Sequence, residues 1–223
     1  MMNWVKFMKV DMRLMKCQRM VLLGIPLLSV IVGIAAREAT FLVTYMCFGV
    51  LIISSTSFLV ESKNVSTFIE LLPGTDTEKV AGRFAGFLAM LLAAVLFGVG
   101  ASSVLGKLGY LPMRGADYYL CIAITMFGIF VGSIQMTVLY VFGRSKRGQA
   151  LNLLRIIPPI LFFFGANYAS DFIAEDGERI REVIRFVNGN RGGLIAAGAI
   201  VSAAFFAAAI AVSALVIRRR DIE

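Results

Sequence analysis

Few residues in this chain can do chemistry, and the missing types narrow the options. No histidine is present, so there is no imidazole base and no histidine metal ligand. Cys17, Cys47 and Cys121 lie in or beside apolar runs without metal-ligand spacing, the usual setting of small packing residues. No G-x-x-x-x-G-K-[ST] loop occurs, so the chain lacks that phosphate cradle for ATP hydrolysis. The remaining candidates are polar but uncharged. Ser54-Ser55-Thr56-Ser57 place four hydroxyls in one apolar run, Gln135 places an amide in another, and Pro158-Pro159 interrupt a third. Hydroxyls and amides in such runs bond to backbone carbonyls or to a neighbouring helix, or else line a polar path. Paired prolines leave a break or wide turn. Ser54, Ser57, Gln135, Pro158 and Pro159 are therefore the candidate path or gate residues. No charged side chain falls near the centre of a run, which argues against an intramembrane protease, a proton-driven carrier or an ion pump.

The elements that must position these residues are membrane helices. Apolar residues make up 59% of the 223 and charged residues 16%, against roughly 25% charged in an average soluble domain. Mean hydropathy is +0.83. Six apolar runs stand out: Met20–Ala36, Ala39–Val60, Phe84–Val104, Tyr118–Phe142, Leu151–Ala166 and Leu194–Ile217. Their lengths suit helices crossing a hydrocarbon core of about 30 Å, and the ten-residue alternation of barrel strands is missing. The predicted fold is an all-α membrane protein, a single transmembrane domain over residues 1–223 with six spans.

The cationic residues set the orientation. Lys6, Lys9, Arg13, Lys16 and Arg19 precede the first run. Lys63, Lys79 and Arg83 follow the second, Arg144, Lys146, Arg147 and Arg155 the fourth, and Arg218, Arg219 and Arg220 the last. These fifteen lie on one side, against seven on the other, which predicts cytoplasmic termini. The net charge of +8 reflects this bias. It is not a nucleic-acid footprint, since no aromatic-basic patch lies outside the runs. No cleavable signal peptide is expected.

Between the runs lie three segments of note. Residues 3–19 form a predicted amphipathic helix, with Lys6, Lys9, Arg13 and Lys16 on one face and Trp4, Phe7, Met8, Leu14 and Met15 opposite. Such a helix lies along the interface. Asp11 falls on its apolar side, where nothing in the sequence accounts for it. Glu61–Arg83 is a charged interruption with Pro73-Gly74 at its centre. Thr67/Glu70 and Thr75/Glu78 have the spacing of capping boxes, predicting a short helix, a turn, and a helix that runs on into the third span. Phe68, Ile69, Leu71 and Leu72 are too apolar for a solvated loop, and either dock in a partner's groove or lie back on the bundle. Residues 168–193 read as two short helices on the outer surface. Small residues at Gly82/Gly86 and Gly128/Gly132 permit close helix approach, within one chain or across a dimer seam.

Taken together, the layout resembles the permease subunit of ABC-2 type ATP-binding-cassette exporters. Phe68-Ile69-Glu70-Leu71-Leu72-Pro73, followed by Glu78-Lys79-Val80 and Gly82-Arg83-Phe84, looks like that family's leucine-proline motif leading to the third span. The closing Arg218-Arg219-Arg220-Asp221 is similar as well. The departure is Gly74-Thr75-Asp76, where relatives more often carry an aliphatic and then a basic residue. The closest look is to small bacterial permeases, including those that export amphipathic peptides.

This resemblance implies a coupling helix within residues 61–83. Phe68, Ile69, Glu70, Leu71, Leu72 and Pro73 would contact a separate ATPase subunit, which would carry the ATP and magnesium, with no cofactor in this chain. It also implies a second permease subunit, identical or similar, in a bacterial cell membrane. The competing reading is a non-transporting membrane scaffold or immunity protein that sequesters a peptide or partner. An intramembrane enzyme is disfavoured by the missing charged groups.

Overall fold

A computed structural model describes residues 3–15, 19–60, 73–111, 115–142 and 189–220. All the secondary structure among them is helical: α1 Asn3–Met15, α2 Arg19–Ala36, α3 Ala39–Val60, α4 Asp76–Lys107, α5 Gly115–Val141 and α6 Arg191–Arg220. Three helices contain stretches long and apolar enough to cross a membrane, Asp76–Lys107, Asp117–Val141 and Arg191–Arg219. Shorter apolar stretches occupy Leu22–Ala36 and Ala39–Ser55. This is a multi-pass membrane protein. The predicted fifth span, the first capping box and residues 168–188 of the external segment lie outside the described residues, while Arg191–Gly193, expected at the end of that segment, form the first turn of α6.

α2 and α3 form an antiparallel hairpin. α2 ends where the N–H of Arg37 bonds to Ile34 O and that of Glu38 to Gly33 O, the paired bonds of a Schellman stop. Arg37 adopts φ 55° there, the left-handed position usually given to glycine. α4 ends in the same way, with Gly109 at φ 81° and the Tyr110 N–H on Leu105 O at 2.9 Å. Pro26 sits inside α2 without ending it.

α4 is the axis of the bundle, packing against α1, α3, α5 and α6. Its 32 residues span about 48 Å, more than the hydrocarbon thickness, so its polar first turns stand clear of the apolar part. Lipid removes most of the hydrophobic drive between helices, leaving close contact and dispersion to hold them. The glycines show where contact is closest. A Cβ on Gly98 would lie 3.1 Å from Val43 Cγ2, and one on Gly128 3.4 Å from Leu91 Cδ1; one on Gly132 would run into the Phe87 ring. The predicted small-residue seams are thus filled within the chain. Leu42, Val43, Phe84, Phe87, Leu91, Met136 and Leu139 are fully enclosed at these joints. Leu23, Leu27 and Ile31 on α2 face outward.

The contacts also fix directions. Gly98 meets Val43 while Arg83 meets Phe58, and Gly132 meets Phe87 while Gly128 meets Leu91, so α4 runs antiparallel to α3 and α5. Arg191 lies over the Tyr119 ring at 5.0 Å, while Ser213 Oγ is 3.4 Å from Thr137 Oγ1. α5 and α6 therefore run parallel.

Candidate functional site

Charged side chains gather where α4 begins. Thr75 is its N-cap. Its Oγ1 accepts from the Glu78 N–H at 3.3 Å, and its own N–H donates to Glu78 Oε2 at 3.0 Å. This is the reciprocal capping box expected from the sequence. Asp76 and Glu78 in the first turn complement the positive end of the helix dipole, and Lys79 Nζ lies 3.6 Å from Asp76 Oδ1. Pro73 and Gly74 are exposed just before the cap.

α1 is fastened onto this start. The Phe7 ring lies 2.8 Å from where a Cβ on Gly74 would sit. A Cβ on Gly82 would meet Phe7 Cβ at 2.6 Å and Trp4 O at 2.7 Å, and Met8 Cγ lies 3.5 Å from one on Gly86. One turn after Phe7, Asp11 is buried against Arg83, with Oδ1 3.2 Å from Nε. The Arg83 guanidinium carbon also lies 4.4 Å from the Phe58 ring centroid, within cation–π range. Phe58 meets Tyr140 edge-on at 5.1 Å, and Phe84 stacks on Tyr140 at 6.5 Å and meets Phe206 edge-on at 5.4 Å. Five helices converge on this aromatic and ionic joint. Beside it, Gly74, Asp76, Thr77, Ala214, Leu215 and Arg218 line an open groove of about 660 Å³, which places the end of α6 at this same face.

Further into the bundle, Gln135 is buried on α5 and donates through Nε2 to Leu51 O at 3.1 Å. Ser54 donates to the same carbonyl at 3.1 Å, and Ser55 donates to Ile52 O at 2.7 Å. Leu51 O therefore ties α3 to α5. Among the described residues, Gln135 Oε1 has no hydrogen-bond partner. Ser133 and Thr137 likewise bond to carbonyls one turn back, Ile129 O and Ser133 O.

Comparison with known proteins decides the class. Residues 6–217 match the family model described as ABC-2 family transporter protein. The chain belongs to the ABC-2 transporter family. No curated protein and no solved structure matches it. The match covers nearly all of the chain, from α1 through α6.

ABC-2 permeases are membrane components that work with an ATP-binding-cassette ATPase, and the family assignment carries that general partnership to this chain. Of the residues expected to meet the ATPase, the structure describes Pro73; Phe68, Ile69, Glu70, Leu71 and Leu72 lie outside the described residues. Of the candidate path residues, Ser54 and Gln135 are brought together at Leu51 O. Ser57 lies in α3 with its side chain undescribed, and Pro158 and Pro159 are outside. Asp11 and Arg83 were not legible as a pair. The one available signal was Asp11 standing four residues after Phe7, one helical turn along the same face.

Proposed function

We propose that this chain is the membrane half of an ATP-driven exporter for amphipathic or hydrophobic cargo, peptides foremost, coupled to a separate ATPase through Glu61–Arg83. One observation carries the coupling role. The capped start of α4 is pinned to α1 by a buried ion pair and two close glycine contacts, and α4 packs on α3, α5 and α6. A push on residues preceding Thr75 therefore reaches the whole bundle through one stiff helix. The family match supports the borrowed energy source.

The run Leu151–Ala166, outside the described residues, is taken as the fifth of six spans, a count that the parallel course of α5 and α6 supports, with α1 and the end of α6 on the cytoplasmic side of a bacterial cell membrane. Six spans make half a pathway, so a second permease, identical or similar, completes it. Cargo preference then rests on shape and apolar surface, with Ser54, Ser57, Gln135, Pro158 and Pro159 as path or gate residues.

Leu71→Asp and Leu72→Asp test the coupling role. Both variants should insert normally and lose co-purification of the ATPase, read from the subunit ratio of the isolated complex. Stoichiometric ATPase on both variants would overturn the docking role.

A further inference from the structure

α1 presents its charges in an unusual way. From Trp4 to Arg13 the exposed residues are Lys6, Lys9 and Arg13 and no others. Their spacing of three and four puts them on one stripe of the helix. Phe7 and Asp11, the buried residues of the same stretch, fall on the roughly opposite side. Asp11 is the one carboxylate of α1, and Arg83 withdraws it from the surface at 3.2 Å. The outward face is left purely cationic. The contacts that hold Phe7 and Asp11 inward also stop α1 from turning about its axis.

The depth of α1 follows from where it crosses α4. It seats on Gly82 and Gly86, and the residue between them that closes the polar start of α4 is Arg83. From Phe84 to Gly106, α4 carries no charge. A helix seated at that polar-to-apolar change lies level with the lipid headgroups, and its outward cations face the lipid around the bundle.

We infer that Lys6, Lys9 and Arg13 form a binding surface for anionic phospholipid headgroups. Through the Asp11–Arg83 pair and the Phe7–Gly74 contact, lipid charge acts on the start of α4. Oriented cations at headgroup depth meet anionic lipid at a gain worth about fivefold in affinity for each Lys or Arg. The consequence for coupling rests on the transporter reading above, whereas the lipid surface itself does not.

The test uses the full chain in neutral detergent, without ATPase or cargo, so its failure is separate from any failure of the transporter reading. Thermal unfolding is followed while phosphatidylglycerol or phosphatidylcholine is titrated into the micelles. Phosphatidylglycerol should raise the midpoint in a saturable way that about 0.5 M salt suppresses, and phosphatidylcholine should not. The triple variant Lys6→Gln/Lys9→Gln/Arg13→Gln should bind phosphatidylglycerol at least about tenfold more weakly. Lys6→Arg/Lys9→Arg should respond as wild type does, because the headgroup recognises charge. Equal responses to the two lipids, or an unchanged response in the triple variant, overturn the proposal.

Discussion

Asp11 and Arg83 show how much a single pair can decide. Each alone is an ionisable group in a poorly solvated place, costly unless matched. Together, with the Phe58 ring against the guanidinium, they form a buried pair whose worth lies in geometry more than in net stability. Removing one partner should therefore hurt far more than removing both. Asp11→Ala is expected to lower stability by about 3–5 kcal/mol, while Asp11→Leu/Arg83→Met should recover most of that loss. Unfolding of the singles and the double in detergent gives the coupling energy, and simple additivity would show that the pair does not act as a unit. Gln135 is a milder case. Its amide reaches Leu51 O, so a residue chosen from sequence for its polarity turns out to join two helices.

At the scale of elements, glycines decide who packs on whom. Gly82 admits α1 to the face of α4, and Gly132 admits the Phe87 ring to α5. Gly100, on the same helix as Gly82, has open space around it. Gly82→Val should dislodge α1, exposing the Asp11–Arg83 pair and raising protease cleavage within residues 3–15. Gly100→Val should leave cleavage unchanged, with helix propensity shifting by only a few tenths of a kcal/mol, in favour of the valine. Limited proteolysis of the two variants in one experiment separates packing from propensity. Which helix each glycine faces was not legible beforehand. A small-residue motif says that something comes close without naming the partner.

For the whole molecule, the test is coupling. If the start of α4 transmits ATPase motion to the bundle, cargo that favours one state must shift the ATPase rate, because a ligand can only drive a change by binding two states differently. An amphipathic peptide is expected to raise ATP turnover of the reconstituted complex several-fold, and Leu71→Asp should abolish the response. A flat response across a peptide panel would redirect the search to lipid or small-molecule cargo.

The chain's own residues determined its class, its helices and the start of α4. Apolar length and the stranded cations require a bilayer, and Thr75 and Glu78 form their capping box from neighbours three residues apart. Such properties depend on composition or on local spacing, so they can be read along the chain. The destination of Asp11, the partner of Gln135 and the seats of Gly82 and Gly132 join residues tens of positions apart. Local propensity carries no information about such pairings, because burial and close contact arise only once the helices have packed. That packing turned an unexplained aspartate into the fastening between α1 and the root of α4.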